Sequence, residues 1–180
     1  DVTFCFEVCD ENDPHIIKES IGEVLIGMID VKTGFQYPEN KLDEIAKNYN
    51  VTRPETFKGV TYSEFKEMLN KTQTEGFMVF DENDNLLFKA KSPYYLINKL
   101  FARGTDVIEK LNSKTNNAYN YFDEEFHPLI THLKDKKVSD KFLTLNEAEK
   151  VEYIRNYLNE EFKELYNKKE NIKSTKVKLN

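Results

Sequence analysis

Tryptophan is absent from this sequence, and cysteine occurs only twice, at Cys5 and Cys9. Both cysteines fall in one period-two strand pattern, on the same face. At strand rise they stand about 13 Å apart, too far for a disulfide. Buried free thiols in a reducing compartment are therefore expected, and with them a cytoplasmic location. No stretch of about 18 apolar residues occurs, which argues against a membrane-spanning helix. A signal-peptide pattern is missing from the start. Neither a Gly-rich phosphate loop, nor a Ser or Cys nucleophile motif, nor an internal repeat is visible. His127 and His132 are five apart, wrong for one helix face, and lack a partner at ligand spacing, so zinc is not expected there. His15, beside Ile16, reads as a hydrogen-bonded strand histidine. Asp1-Val2-Thr3-Phe4 opens directly into a strand pattern with no initiator Met, so a trimmed chain or a fragment is expected.

What is present suits a packed chain. The 180 residues are 39% hydrophobic and 13% aromatic. A chain of this size can bury roughly 70% of the surface its unfolded form exposes, so it needs no disulfide staple. The net charge of -6 is unevenly spread. Residues 1–91 hold 10 Lys/Arg against 18 Asp/Glu, a net of -8, whereas residues 92–180 hold 16 against 14, a net of +2. The stretch from Lys168 to Asn180 contains five lysines and one Glu, which reads as a solvated tail and hints at phosphate contact.

Periodicity sets the expected elements. Val2, Phe4, Phe6 and Val8 alternate with Thr3, Cys5, Glu7 and Cys9 as a strand whose apolar side should pack. Asp10-Glu11-Asn12-Asp13-Pro14 is a turn cluster, His15-Ile16-Ile17-Lys18 the returning strand, and Glu23 to Val31 a third strand. Leu42, Ile45, Ala46 and Tyr49 recur at helical spacing. Thr61-Tyr62-Ser63-Glu64 is a capping box before Phe65, Met68 and Leu69. Glu75 to Phe80 and Leu86 to Lys91 are strands around the turn Asp81-Glu82-Asn83-Asp84-Asn85. Helix follows. Ser92 can cap and Pro93 fits the first helical position, with Gly104 as the stop. Tyr119, Phe122 and Phe126 mark another helix, interrupted or restarted at Pro128, and Val151, Ile154, Leu158, Phe162 and Leu165 form a stripe on a final helix after Asn146. The expected fold is α+β, an antiparallel-sheet domain over 1–95 followed by an all-helical domain over 96–180 with a basic tail.

One hairpin carries chemistry. Glu75-Gly76-Phe77-Met78-Val79 followed by Phe88-Lys89-Ala90-Lys91 places an acid and two lysines on neighbouring strands. Lys89 and Lys91 point to one face roughly 7 Å apart. Their ammonium groups repel unless an anion sits between them, which a polyphosphate does well. A divalent cation on the nearby carboxylate would complete the arrangement. An ordinary Lys-x-Lys on a solvated hairpin is the competing reading.

Phe6-Glu7-Val8, Glu75-Gly76-Phe77-Met78-Val79 and Lys89-Ala90-Lys91 match, in order and spacing, three motifs of the covalent nucleotidyltransferases. Within that superfamily of DNA ligases, RNA ligases and capping enzymes, the chain most resembles the ATP-dependent RNA ligases that repair tRNA in T-even phages and their bacterial relatives. Phe4 to Lys18, Val24 to Gly34, and Lys91-Ser92-Pro93-Tyr94-Tyr95 carry the likeness, which covers about residues 2–100.

The resemblance implies a nucleotidyltransferase fold for the sheet domain and the sealing of RNA 5′-phosphate and 3′-hydroxyl ends through enzyme–AMP and RNA–adenylate. It implies ATP or AMP and Mg2+ (or Mn2+) as cofactors and RNA, such as a tRNA, as partner. Glu7 would bond the nucleotide ribose, Glu75 would serve the metal or the reacting phosphate, and Lys89 and Lys91 would hold the α- and departing phosphates. These four residues should line one concave face. Tyr95 matches a tyrosine of the phage enzymes and would support the pocket, with a core aromatic at the start of a helix as the competing reading. The helical domain would be associated with tRNA specificity. Two departures stand out. The family's Lys-x-Asp-Gly, which accepts AMP, belongs upstream of the Glu7 strand and does not occur here, so the chain is read as a C-terminal part, inactive alone. The third strand also lacks an aromatic to stack on adenine, leaving Ile26 or Met28 to cover the base. The rivals are a DNA ligase or capping guanylyltransferase, disfavoured by helix where those append a small barrel, and a non-catalytic helical module binding RNA or protein.

Overall fold

The computed structural model describes residues 1–13, 15–17, 19–102, 106–112, 118–168 and 177–179, with side chains outside 165–168 and 177–179. The first elements are β1 (Val2–Cys9), β2 (Gly22–Asp30), α1 (Glu39–Tyr49), β3 (Phe57–Val60), α2 (Tyr62–Lys71), β4 (Gly76–Phe80) and β5 (Leu86–Lys91). Helices α3 (Pro93–Ala102), α4 (Asp106–Asn112), α5 (Ala118–Tyr121), α6 (His127–Lys134), α7 (Lys136–Thr144) and α8 (Glu147–Lys168) follow, then β6 (Val177–Leu179). The fold is thus mixed, with antiparallel sheets and many helices. Its packing divides between Ser92 and Pro93 into a sheet-bearing unit, which β6 rejoins, and a helical unit. None of the described helices is long and apolar enough to cross a membrane.

β1 pairs antiparallel with β2 alone, as a two-stranded sheet. The strand expected at His15–Lys18 does not form: His15, Ile16 and Ile17 lie in a loop, and Pro14 and Lys18 lie outside the described residues. A bulge interrupts the pair, since Cys5 faces Gly27 while Phe6 faces Leu25, and Ile26 is the extra residue. As a result Leu25 and Met28, three apart, both reach the core and meet Leu42 and Ala46 of α1. The apolar side of β1 is not packed as expected, because α1 lies on β2. Val2, Phe4, Phe6 and Val8 remain 41–57% exposed.

Helix α1 stops at Asn50, whose left-handed backbone (φ 54°) lets its N–H reach the Ala46 carbonyl. Beyond it, Arg53 ties the layers together. Its guanidinium donates to the Leu25 carbonyl of β2, to the Glu39 carboxylate, and at 3.1 Å to Asp43. Arg53 and Glu39 are both about nine-tenths buried, with side chains 10% exposed.

The second sheet has strand order β3-β6-β4-β5, antiparallel throughout. β6 corrects the reading of the tail as wholly solvated: Val177 faces Val60, Lys178 faces Phe80, and Leu179 faces Phe57 and Val79. Lys169, Lys173 and Lys176 lie outside the described residues. The capping box starts α2, with Glu64 N–H donating to Thr61 Oγ1 at 3.3 Å and Thr61 N–H to Glu64 Oε2 at 2.8 Å. Phe65 of α2 is buried edge-on against Phe77 of β4 and Phe88 of β5, with ring centroids 6.2 and 6.0 Å apart.

In the helical unit the α8 stripe is core. Ile154, Leu158 and Phe162 are buried with Phe122, Phe126 and Leu129, and Phe126 meets Phe162 edge-on at 6.5 Å. The side chain of Leu165 and the expected stop at Gly104 lie outside the described residues. Asn146 caps α8 reciprocally with Glu149, at 3.0 and 2.8 Å. The pattern read from Tyr119 to Leu133 is divided. A 3-10 turn at Glu124–Phe126 separates α5 from α6, with Pro128 in the first turn of α6, where its missing N–H costs nothing.

Removing Arg53 leaves Glu39 buried without its counter-charge. Arg53→Ala should destabilise the sheet-bearing unit by about 3–5 kcal/mol. Lys41→Ala, which breaks only the exposed pair with Glu44, should leave the urea midpoint nearly unchanged. Equal midpoints for the two variants would contradict a structural role for the Arg53 clamp.

Candidate functional site

The β4–β5 hairpin places its side chains by register. Phe77 faces Ala90 and Val79 faces Phe88, and this pair of rows turns toward Phe65. Met78 faces Lys89 and Gly76 faces Lys91, so Lys89 and Lys91 lie on the opposite face. At the far end the turn is tied by Asp81, whose carboxylate accepts from the Asn83 and Asn85 N–H groups and the Asn85 amide at 2.8–2.9 Å. Those bonds hold the Asp81 carboxyl below its usual range, the Asn85 side-chain bond first.

The open end holds Glu75. Ser92, fully buried, donates from Oγ to the Thr74 carbonyl at 2.6 Å, and its N–H donates to the Glu75 carbonyl at 2.8 Å. Gly76 has φ 143°, and a side chain there would begin 1.9 Å from the Ala90 carbonyl oxygen. Only glycine lets the strands approach this closely. The result is an ion pair, Lys91 Nζ to Glu75 Oε1 at 3.4 Å, with both side chains about half exposed. Lys89 is exposed and has no ion-pair partner among the described residues.

The other residues singled out by sequence fall elsewhere. Glu7 lies in β1, opposite Val24, in a different sheet from Glu75, Lys89 and Lys91. The four are therefore not aligned on a single sheet. Met28 is taken up by the core beneath α1, whereas Ile26 is exposed at the bulge, so the two do not share a face. Tyr95 belongs to α3 in the helical unit, half-buried against its core.

A second constellation, not read from sequence, gathers around Glu19. Cys9 Sγ donates to Glu19 Oε2 at 3.2 Å, and His15 Nδ1 lies 3.0 Å from the same oxygen. The Glu19 bond, then burial, then the negative charges of Glu19 and Glu7 push the Cys9 thiol above its ordinary value. The same bond, with the charges of Glu19, Glu7 and Asp13, raises His15 against a smaller opposing effect of burial. No spacing rule joins residues 9, 15 and 19. The available signal was two ligand-type residues flanking a turn cluster.

Glycine at position 76 carries the geometry of the hairpin's open end. Gly76→Ala should cost well over about 1 kcal/mol, because it strains the backbone and collides with backbone atoms of β5. Gly59→Ala, at φ 71° but facing open space, should cost less. Denaturant midpoints of the two variants check this, and a smaller loss for Gly76→Ala would contradict the close approach.

Comparison of the chain with family models, with curated proteins and with solved structures found no match.

Proposed function

We propose that the chain is part of an ATP-dependent RNA ligase, and that its β4–β5 hairpin is the element that holds nucleotide phosphates. The ion pair between Glu75 and Lys91, with Lys89 one side-chain repeat away on the same exposed face, carries this reading. Two ammonium groups on one strand face, at roughly 7 Å, suit the spread charge of a phosphoryl group better than a point anion. When phosphate arrives, Lys91 divides its donors between that anion and Glu75, while Lys89 contributes the second positive charge. Phosphoryl transfer asks for placed charge, with little covalent work from these side chains.

Glu75 fits a hard divalent ion. It offers one carboxylate and, among the described residues, belongs to no cluster of three metal-ligating side chains. Mg2+ commonly takes one or two protein carboxylates and completes its shell with phosphate oxygens and water. Such an ion would neutralise charge on the phosphates. Glu7 in the separate sheet would serve the ribose, and Ile26 would offer an exposed apolar contact to the base. The helical unit would recognise RNA such as a tRNA, in a cytoplasmic setting.

Covalent labelling tests the reading. Incubated with ATP and magnesium, the 180 residues alone should take up no AMP, because they contain no Lys-x-Asp-Gly. A polypeptide that also carries that motif upstream should become labelled. Lys89→Ala or Lys91→Ala should then lower labelling on the order of a hundredfold, the usual cost of one placed charge contact. Label on the 180 residues themselves, or undiminished label in both lysine variants, would overturn it.

A further inference from the structure

We propose that Cys9, His15 and Glu19 form a binding site for a divalent transition-metal ion of the zinc class, separate from the phosphate hairpin. The inference does not rest on the ligase reading. It rests on the convergence of three different donor atoms: a sulfur, an imidazole nitrogen and a carboxylate oxygen all lie within 4.8 Å of one another. Among the described residues, no other group of three His, Cys, Asp or Glu side chains comes together in this way.

The donors come from two segments that the chain folds back on itself. Cys9 ends β1, where pairing with Gly22 of β2 fixes its position. The turn that follows is tied by Asp10, which accepts from Asn12 N–H at 2.8 Å and from the Asn12 amide at 2.9 Å, while Asp13 N–H donates to the Asp10 carbonyl. Ile17 is buried, 8% exposed, and anchors the loop midway between His15 and Glu19. A four-residue spacing on a loop would otherwise leave these two side chains free to part.

Two of the three ligand separations are already close to those of a metal site, and the third lies within 4.8 Å. Ligands at about 2.0–2.3 Å from a tetrahedral zinc lie about 3.3–3.6 Å from one another. Sulfur and carboxylate oxygen already stand 3.2 Å apart, and imidazole nitrogen and carboxylate oxygen 3.0 Å. Here the three groups share protons through one carboxylate oxygen, and a cation at their centre replaces those protons. The donor chemistry selects the ion. Thiolate and imidazole favour a borderline metal over Mg2+ or Ca2+, which take oxygen. His15 and Glu19 are exposed, so the site is open to solvent and leaves a fourth position for water or a further ligand. The charge of Glu7, felt at both Cys9 and His15, adds to the attraction for a cation.

Cobalt is the probe, because thiolate coordination to it gives a near-ultraviolet charge-transfer band. Titrating the reduced 180-residue chain with Co2+ should produce that band with one ion per chain, and Zn2+ should displace it. Cys9→Ser should abolish the band, whereas Cys5→Ser should leave it intact. His15→Ala, at an exposed loop position where folding is not at stake, should weaken Co2+ binding at least about tenfold, since losing a ligand costs no less than losing an outer-shell partner. Absence of a thiolate band in the reduced chain, its persistence in Cys9→Ser, or unchanged affinity in His15→Ala would each overturn the proposal. Nucleotide labelling is indifferent to the outcome, so failure here and failure of the ligase reading are told apart.

Discussion

Close approach of two strands at the open end of the β4–β5 hairpin governs the arrangement around it. Gly76 brings its backbone against Ala90 and Lys91, closer than any side chain would permit. Ser92 secures that approach by bonding both Thr74 and Glu75 from a fully buried position. The register that results puts Phe77, Val79, Phe88 and Ala90 on the side of α2 and Lys89 and Lys91 on the other. Without it, Glu75 would have no fixed place relative to Lys91. A backbone constraint at one glycine thus becomes an electrostatic arrangement two strands wide.

The sheet-bearing unit holds two side-chain clusters of opposite character. The hairpin gathers positive charge on an exposed face, with the Glu75 carboxylate paired to Lys91. The loop after β1 gathers a thiol, an imidazole and a carboxylate, with Glu7 and Asp13 adding negative charge nearby. Each uses the same device: a short, tightly bonded turn that returns the chain so that residues distant in sequence meet. Asp81 ties the turn of the hairpin, and Asp10 ties the turn before His15.

Much of this was legible because local rules and tertiary packing agreed. Leu42, Ile45 and Ala46 at helical spacing mark α1, and the Thr61–Glu64 and Asn146–Glu149 boxes mark the starts of α2 and α8. Both hairpin strands and the α8 stripe follow from periodicity alone. The failures have physical causes. His15-Ile16-Ile17 has strand-forming residues, yet Ile17 is drawn into the core and His15 toward Glu19, so β1 pairs with β2 instead. Period two would keep Ile26 and Met28 on one face, but the bulge sends them apart. β3 and β6 are four and three residues long, too short to show a period, and β6 owes its existence to the partners on either side. Helix α7 has Asp135 as its cap but only one fully buried residue, Phe142, so it shows no stripe. At the sites, the lysine pair was visible as Lys-x-Lys, while the approach of Lys91 to Glu75 depends on Gly76. Cys9 and His15 looked unrelated because their link is Glu19, reached through a turn.

We propose that the exposed face of this hairpin binds phosphate. Backbone amide resonances followed during a titration of the chain with ATP and magnesium test it most directly. Phosphate binding at the hairpin should give saturable shifts at Gly76, Ala90, Lys91 and Ser92, much reduced in Lys89→Ala and in Lys91→Ala. Shifts confined to other parts of the chain, or shifts at these amides that survive both substitutions, would contradict it.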